Sequence, residues 1–385
     1  MQAATILRRM EHDDTFAMLR DSMRRFVAAE VVPKAAAWET AGEVPREVLR
    51  RMGGLGFLGL RYPERFGGGA LDARATALLA EELGRSSFGG FAITVLVHTD
   101  MASPHLANAG SPAQLERWMP KVVSGECITA VAVTEPDAGS DVKGIRTTAR
   151  RDGDHYVLNG SKMFITNGVL ADLYFVAAKT DPAAGSKGIS ILAVEKGTPG
   201  FTVARRLDKM GWRCSDTAEL AFQDCRVPAE NLLGEENSGF VYLMQELPWE
   251  RLQIAVIAMA SAEAAIDWTV AYTRERKAFG QEIMKFQNTR FKLAELKTEV
   301  QIGRVFVDRC IELLLENKLD PATASMAKYW CTDLQFKVMD ECVQLHGGYG
   351  YMWEYPITRA WADSRVQRIY GGTNEIMKEL ISRSL

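Results

Sequence analysis

The sequence lacks the patterns that mark metal centres, disulfide frameworks and membrane spans. Its six cysteines stand far apart with no CxxC pair, so we expect buried, reduced thiols rather than a zinc site or a disulfide framework. The five histidines are equally dispersed, and no metal site is expected. No run of about 18 apolar residues occurs, which predicts no membrane-spanning helix. Residues 1–10 include Arg8 and Arg9 but no apolar core, so we also expect no secretory leader and a cytoplasmic location.

An excess of charge of one sign is also missing. Lys and Arg total 46 against 49 Asp and Glu, which gives a net charge of −3. Binding to nucleic acid needs a basic face, and the positive residues here are scattered, so such a partner is not expected. Hydrophobic residues make up 47% and charged residues 25% of the 385 positions. This balance is typical of a globular enzyme with two or three cores.

Apolar periodicity divides the chain into three predicted domains, 1–126, 127–234 and 235–385. The first is predicted to be helical, with Asp13 or Asp14 capping a helix that ends before Pro33. Further helical stretches are predicted at 46–52, 71–83 and 114–123, with a Gly-rich loop at 63–69.

In the second domain the apolar period changes to two, which indicates short strands. They are predicted at 128–133, 155–158, 173–177, 189–194 and 220–222. The dipeptides Asp152-Gly153 and Asn159-Gly160 have the composition of hairpin turns. No crossover helices intervene, so we expect an antiparallel β-domain, as a small barrel or sandwich.

The third domain returns to the helical period. One apolar stripe runs through Leu293, Leu296, Val300, Val307, Ile311 and Leu314. A further helix opens at Pro321 and closes at Gly347-Gly348. With another helix over 254–274, these stretches predict a C-terminal four-helix bundle. The predicted fold class is therefore α+β, mainly α.

Two segments of the middle domain have the composition of ligand-binding loops. Residues 132–141 (AVTEPDAGSD) supply small and hydroxyl-bearing residues, whose backbone N–H groups can approach a planar or anionic ligand closely. A plain turn has the same composition. Residues 162–168 (KMFITNG) would place Phe164 and Thr166 on one side of a strand. Those two side chains could form a platform for a flat ring, while core packing is the alternative.

These segments and three later ones, 274–280 (RERKAFG), 344–350 (QLHGGYG) and 370–375 (YGGTNE), together resemble the acyl-CoA dehydrogenase family. Five separated motifs in the right order make the resemblance specific, and it covers essentially the whole chain. It implies an N-terminal helical domain, a middle β-domain and a C-terminal four-helix domain. It also implies a flavoprotein oxidoreductase of fatty-acid β-oxidation with FAD as cofactor. The family is usually homotetrameric, and a neighbouring subunit completes each site.

Carried over by position, the resemblance implies flavin contacts from the middle domain. Val133, Thr134 and Ser140 would line the isoalloxazine ring, and Ser140 would also lie near the acyl-CoA. Phe164 would stack on the other side of the flavin, where many relatives have tryptophan. Thr166 would donate to flavin N5, the atom that receives the hydride.

The resemblance also implies contacts to the FAD of an adjacent subunit. Arg276 would bind its pyrophosphate, because a guanidinium fork matches phosphate oxygens; an ordinary surface arginine is the alternative. The other implied cofactor residues are Phe279, Gln287, Gln344, Gly348, Thr373 and Glu375.

The implied reaction needs a carboxylate base, and its position in this chain is unusual for the family. Most members carry the glutamate directly after the tyrosine equivalent to Tyr370, where this chain has Gly371. A subset that includes isovaleryl- and long-chain-acyl-CoA dehydrogenases carries it on the helix that opens the C-terminal domain. This chain has LPWERL at 247–252, so Glu250 matches the base, with Pro248 expected in the first helical turn. A glutamate that merely favours the helix dipole is the alternative interpretation.

On the substrate side, the resemblance implies roles for Arg251, Tyr370 and the backbone N–H of Gly371, which would donate to the thioester carbonyl. The expected reaction is α,β-dehydrogenation of a medium- to long-chain or branched acyl-CoA to the trans-2-enoyl-CoA, with electron-transfer flavoprotein as acceptor. Two alternatives stay open. One is a flavin-dependent monooxygenase of the same superfamily, whose members lack both glutamate positions. The other is a non-catalytic protein that binds acyl-CoA or flavin.

Overall fold

The structure, a computed structural model, describes residues 14–385. The predicted cap Asp13 and the leader prediction for residues 1–10 lie outside the described residues. The described helices of the N-terminal part are α1 (Asp14–Phe26), α2 (Ala35–Ala41), α3 (Arg46–Gly54), α4 (Ala73–Gly84), α5 (Gly89–Leu96), α6 (Ser103–Ala109) and α7 (Pro112–Ser124). A π-helical segment, Val97–Ala102, joins α5 to α6.

Helix α7 shows how local sequence sets these boundaries. The Ser111 hydroxyl accepts from the Gln114 backbone N–H at 3.3 Å, and the Gln114 side chain accepts from the Ser111 backbone N–H at 2.8 Å. This reciprocal capping satisfies two donors that a helix start leaves unpaired. At the other end Gly125 takes a left-handed φ of 75°, a conformation that glycine adopts without the strain a side chain would bring.

The middle of the chain folds into one curled sheet. Its strands are β1 (Thr129–Ala132), β2 (Thr148–Asp152), β3 (His155–Thr166), β4 (Leu173–Lys179), β5 (Ile189–Glu195), β6 (Phe201–Arg206) and β7 (Thr217–Pro228). The order is β1-β4-β2-β3-β7-β6, with β5 paired to β4. Most neighbours are antiparallel, but β1 and β2 each pair with β4 in parallel. Strand alternation alone carries no information on these long-range parallel pairings.

One predicted hairpin is correct and the other is wrong. Strands β2 and β3 pair from Asp152 opposite His155, so the Asp152-Gly153 signal does mark a tight turn. Asn159-Gly160 instead lies inside β3, where the pairing with β7 shifts register. A Cβ on Gly160 would lie 2.5 Å from the Thr147 Oγ1. That glycine therefore permits close approach of two segments rather than a turn.

The C-terminal part consists of three long helices and two short ones. They are α8 (Gly239–Glu275), α9 (Gln287–Leu315), α10 (Pro321–His346), α11 (Pro356–Ser364) and α12 (Asn374–Ser382). A small hairpin of β8 (Lys277–Ala278) and β9 (Gln281–Glu282) separates α8 from α9. Helix α12 packs against α10. The predicted fold class, mainly helical with a middle β-domain, is confirmed.

Helix α8 begins earlier than the sequence pattern predicted. Pro248 lies inside it rather than in its first turn, and Glu250 lies three turns from its start. The dipole of the helix N-terminus fades within the first turn, so it does not account for Glu250. By length and hydropathy α8 could cross a membrane, but 72% of its most apolar window is buried within the fold. Core helices have the same property.

One apolar cluster joins all three parts of the chain. It includes Ile93 of α5, Phe175 of β4 and Ile254 of α8. Val133 and Tyr370, from two of the predicted site segments, pack against it. The junction of the three parts is thus where the candidate site lies, as is common for small-molecule sites at domain boundaries.

Candidate active site

Anchors on both sides of Glu250 fix the face that α8 presents. The Trp249 indole N–H and the Gln253 amide both donate to Oδ1 of buried Asp100, at 3.1 and 3.2 Å. Asp100 lies on the π-helical segment, a type of irregularity often found at functional sites. These two bonds fix the orientation of this turn of α8. The neighbouring face of the helix carries Glu250, which lies within electrostatic reach of Tyr370.

A second carboxylate lies one helical turn before Glu250. Glu246 and Glu250 are four residues apart and so share a face of α8, and the Asn108 side chain donates to Glu246 at 2.6 Å. Removal from water, and then the charge of Glu246, raise the pKa of Glu250 to about 8. Arg251 opposes this only partly. The result is a carboxylate whose pKa lies close to operating pH, which is where a general base works best.

The loop that follows Tyr370 lies against this face of α8. The Tyr370 ring packs edge-on against Trp212 at 5.0 Å. Its hydroxyl is buried and finds no hydrogen-bond partner among residues 14–385. Burial, and then the nearby Glu250 charge, raise the pKa of Tyr370. The hydroxyl is therefore a neutral group within electrostatic reach of the carboxylate.

Gly371 is required by both conformation and space. Its φ is 66°, in the left-handed region, and a Cβ there would lie 2.5 Å from Cδ1 of Ile254. Ile254 is fully buried and one turn beyond Glu250 on the same face of α8. Part of the volume that a glutamate at 371 would need is thus filled by a hydrocarbon side chain.

Two cations, one on α8 and one on α10, bond the backbone carbonyls of the Gly371–Gly372 loop. Arg251 Nε lies 3.5 Å from the Gly371 carbonyl oxygen, and the Lys328 ammonium donates to the Gly372 carbonyl at 2.7 Å. Lys328 also donates to the Asn374 side chain at 2.9 Å. The predicted substrate-side residues Arg251, Tyr370 and Gly371 therefore lie together with Glu250.

The two middle-domain segments are also joined to each other. The buried Lys162 ammonium donates to the Val133 carbonyl at 3.0 Å and to Glu135 at 2.7 Å. The Met163 N–H donates to the Thr134 carbonyl at 2.8 Å. Glu135 in turn accepts from the Thr147 N–H at 3.0 Å. A buried ion pair therefore fixes the 132–141 loop against strand β3.

Strand β3 is irregular where Phe164 and Thr166 occur. A register shift between Lys162 and Ile165 interrupts the pairing with β7, and Phe164 has φ of 60°. The prediction that Phe164 and Thr166 share one side of a regular strand assumes simple alternation of side chains. That alternation does not hold at this irregular point of β3. Phe164 is 67% exposed, so the core-packing alternative is wrong and its ring is open to a ligand. Ser140 is exposed as well.

A second group of predicted residues forms a groove at the other end of α8. It has a volume of about 660 Å³, and Arg276, Gln344, Gly348, Tyr272 and Tyr349 are among its lining residues. The Arg276 guanidinium lies 5.5 Å from the centroid of the Tyr349 ring. A Cβ on Gly347 or Gly348 would meet nothing within 4 Å. The groove thus offers a cation, an amide, aromatic faces and bare backbone, a set that suits a dinucleotide.

The remaining predicted residues lie at the edges of these groups. Phe279 is 96% exposed in the β8–β9 hairpin, and Gln287 is exposed at the start of α9. Thr373 caps α12 by accepting from the Ile376 N–H at 3.3 Å, and Glu375 is exposed in the first turn. None of these side chains is brought to Glu250 by contacts within the described chain.

The Glu250 group and the Arg276 groove are far apart. Arg276 follows Glu250 by 26 residues, all but the last within α8, which at about 1.5 Å per residue spans roughly 39 Å. Within one chain, the Arg276 groove is therefore separate from the pocket around Glu250.

Sequence reasoning missed several polar residues of the site, namely Asp100, Glu135, Lys162, Glu246, Lys328 and Asn374. Lys162 and Lys328 are fully buried, and isolated lysines in a sequence give no sign of that. A partial signal existed for Glu246, since it stands four residues before Glu250 on a predicted helix.

Comparison with known proteins assigns the family. Three family models match: acyl-CoA dehydrogenase N-terminal domain over residues 13–126, middle domain over 130–225 and C-terminal domain over 237–385. The mitochondrial long-chain specific acyl-CoA dehydrogenase of Mus musculus is 51% identical over 377 residues, covering 97% of this chain and 86% of that protein. The chain belongs to the acyl-CoA dehydrogenase family.

Other members of the family agree with this assignment. The mitochondrial isovaleryl-CoA dehydrogenase of Oryza sativa is 38% identical, covering 97% of this chain and 91% of that protein. The crystal structure of acyl-CoA dehydrogenase from Geobacillus kaustophilus superposes with a TM-score of 0.93 at 46% identity, covering 96% of this chain and 97% of that one.

Acyl-CoA dehydrogenases bind FAD. A Mycobacterium smegmatis glutaryl-CoA dehydrogenase in complex with FADH2 matches with a TM-score of 0.90 at 31% identity, covering 96% of this chain and 93% of that one. The residues present here fit such a cofactor, because Phe164 leaves an aromatic face exposed and Gly347 and Gly348 leave the groove open.

Proposed function

We propose that this enzyme dehydrogenates long-chain or branched acyl-CoA esters between Cα and Cβ, with Glu250 as the base. The observation that carries the proposal is a partly buried Glu250 beside Tyr370 and a glycine loop, with its pKa raised to about 8. Glu250 takes the α-proton as the C–H bond breaks, and those electrons form the Cα=Cβ bond. Bound FAD supplies the acceptor for the β-hydrogen, which leaves as hydride.

The chain's own backbone supports the developing enolate. We propose that the Gly371 N–H donates to the thioester carbonyl, as the family resemblance implies. Such a preorganised donor typically contributes about 2.7–4 kcal/mol to the transition state. Arg251 and Lys328 bond the carbonyls of Gly371 and Gly372, which supports a fixed backbone at this point.

The remaining cofactor residues would act in two places. Val133, Thr134, Ser140, Phe164 and Thr166 would hold the flavin ring, and Thr373 and Glu375 would complete that contact. The groove residues Arg276, Gln344 and Gly348, with Phe279 and Gln287, would hold the far end of a cofactor bound mainly by another copy of the chain. The separation of roughly 39 Å along α8 supports this assembly, and we propose a homotetramer.

The presence of Glu250 speaks against the monooxygenase alternative, and a site that holds a base with a raised pKa speaks against a non-catalytic binding protein. We propose electron-transfer flavoprotein as the acceptor. A long acyl chain is supported by the 51% identity to the mouse long-chain enzyme. The cytoplasmic location stays a proposal, since the relatives include mitochondrial proteins.

The test is an anaerobic titration of the purified, FAD-loaded enzyme with straight and branched acyl-CoA esters. We expect the yellow flavin to bleach with long-chain or branched esters and an electron acceptor to be reduced in proportion. A colourless protein that does not take up FAD, or rapid peroxide formation in air without other acceptors, would contradict the proposal.

A further inference from the structure

Two buried cations lie beneath the loop that carries Gly371. Arg251, on α8, is 5% exposed and Lys328, on α10, is 0% exposed. Few lysines in proteins are fully buried, because an ammonium loses its hydration on burial and must recover that free energy from partners. The position of Lys328 therefore needs an explanation.

The partners of Lys328 tie the loop to α10. Its ammonium bonds the Gly372 carbonyl at 2.7 Å and the Asn374 side-chain oxygen at 2.9 Å. The Asn374 amide donates to three further oxygens of α10: the Tyr329 carbonyl, the Thr332 hydroxyl and the Asp333 carboxylate. Gly371 and Gly372, with φ of 66° and 90°, are the flexible part of this loop. Lys328, together with Arg251 at the Gly371 carbonyl, limits their freedom.

The nearest partners of Lys328 are a carbonyl and an amide rather than a carboxylate. Burial and the positive charges of Arg251 and Arg368 lower the pKa of Lys328 to about 7. The negative charges of Asp333 and Glu375 oppose this shift but do not cancel it. Two like charges side by side in a dry place are unfavourable for folding. A methionine of similar shape would remove that repulsion but would take away the ammonium donor of the Gly372 carbonyl and the Asn374 oxygen. What the lysine supplies at this position is therefore its bonds to the loop.

We propose that Lys328 is a positioning residue for the reaction. Together with Arg251, it fixes the Gly371–Gly372 backbone, so that the Gly371 N–H stays aimed at the thioester carbonyl as that carbonyl gains negative charge. This inference rests on the proposed function, because the carbonyl must bind at the Gly371 N–H. Its consequence is that the α-proton of bound substrate is more acidic with Lys328 than without it.

The test uses a 3-thiaacyl-CoA, an analogue whose α-carbon loses a proton but from which no hydride is transferred. Its enolate gives a long-wavelength charge-transfer band with oxidised flavin, so a pH titration of the band reports α-carbon acidity directly. The variants are Lys328→Met, which removes charge and donor, and Lys328→Gln, which keeps a neutral donor. Lys337→Met is the matched control, since Lys337 is on the same helix but pairs with Glu299 at the surface.

We expect the midpoint of the band to rise by about one pH unit or more in Lys328→Met, which is a tenfold loss of enolate stabilisation. Lys328→Gln should shift it in the same direction by less, and Lys337→Met should not move it. Midpoints within about 0.2 unit of wild type in FAD-loaded Lys328 variants would overturn the inference, as would failure of both variants to retain FAD. If wild type itself forms no band and is not bleached by any acyl-CoA, the proposed function fails instead.

Discussion

The two ends of helix α8 are built in opposite ways. Near Glu250 three polar residues are buried and bonded within one chain, namely Asp100, Arg251 and Lys328. Around Arg276 the polar groups are exposed, and the glycines of the groove face open space. A site whose polar groups are fixed before substrate binds is preorganised, and the free energy of folding holds those groups in place. A groove left open gains its contacts only on binding or assembly.

Removing the carboxylate at the buried end has the largest expected effect. Glu250→Gln keeps the shape of the side chain but not its proton affinity, so turnover should fall by about 10²- to 10⁴-fold. FAD content and acyl-CoA binding should stay normal. Anaerobic stopped-flow bleaching of the flavin by substrate measures the effect, with Asp267→Asn, an exposed residue of the same helix paired to Arg85, as control. Bleaching at a near-normal rate would remove Glu250 from the mechanism.

Breaking the open end should affect cofactor retention instead. If Arg276 holds the pyrophosphate as proposed, Arg276→Gln removes charge-assisted bonds that are each worth about 1.5–3 kcal/mol, so FAD should bind about 10- to 100-fold more weakly. Equilibrium dialysis measures this, and Arg274→Gln, one of the neighbouring exposed arginines, is the control.

Complementation separates assembly from a single-chain site. Co-expressed Glu250→Gln and Arg276→Gln chains should regain part of the activity, because a mixed oligomer contains sites with both native residues. No recovery of activity in verified mixed oligomers would contradict the proposal that the Arg276 groove of one chain binds the FAD of another.

Moving the carboxylate base from position 250 to position 371 tests why the site has glycine at 371. In Glu250→Gly/Gly371→Glu the new side chain meets Ile254 Cδ1 and a left-handed φ, so we expect little recovery of kcat/KM. Adding Ile254→Val deletes the methyl that it meets, at a stability cost of about 0.5–1.5 kcal/mol. The triple variant should therefore be several-fold more active than the double, while Ile254→Val alone stays near wild type. Equal activities would show that backbone strain, not Ile254, excludes a base at 371.

The sequence was informative about the parts of the site that lie in contiguous motifs. Glu250 was found because Gly371 leaves the usual position empty and LPWERL offers another. The start of α8 was misplaced because Pro248 looks like a first-turn proline, whereas tertiary burial carries the helix through it. Lys328 could not be found, since its role depends on the loop at Gly372, 44 positions later in the chain. Long-range contact of this kind has no local pattern.

Glu246 offers a smaller test, through the pH dependence of the base. Because the pKa of Glu250 is about 8, kcat/KM should rise with pH up to that value as Glu250 loses its proton. Glu246→Gln removes the neighbouring charge, so the rising limb should move to lower pH, while the contribution of burial remains. A limb that stays in place would show that burial alone sets the pKa.

The same pKa predicts a modest effect on stability, and its sign is opposite to that of most carboxylates. A pKa raised in the folded state stabilises the fold below pH 4.5, the ordinary value for glutamate. That stabilisation is lost as pH rises through about 8, because Glu250 ionises readily in the unfolded chain whereas the fold disfavours its ionisation. Glu250→Gln cannot ionise, so its Tm relative to wild type should rise between pH 6 and pH 9, on the order of 1–3 °C. Because Glu250 keeps partial exposure, the change in Tm should be well below that expected for a fully buried carboxyl group. A Tm difference independent of pH would mean that Glu250 titrates near its ordinary value, and the buried end of α8 would then be no better prepared for proton transfer than the exposed one.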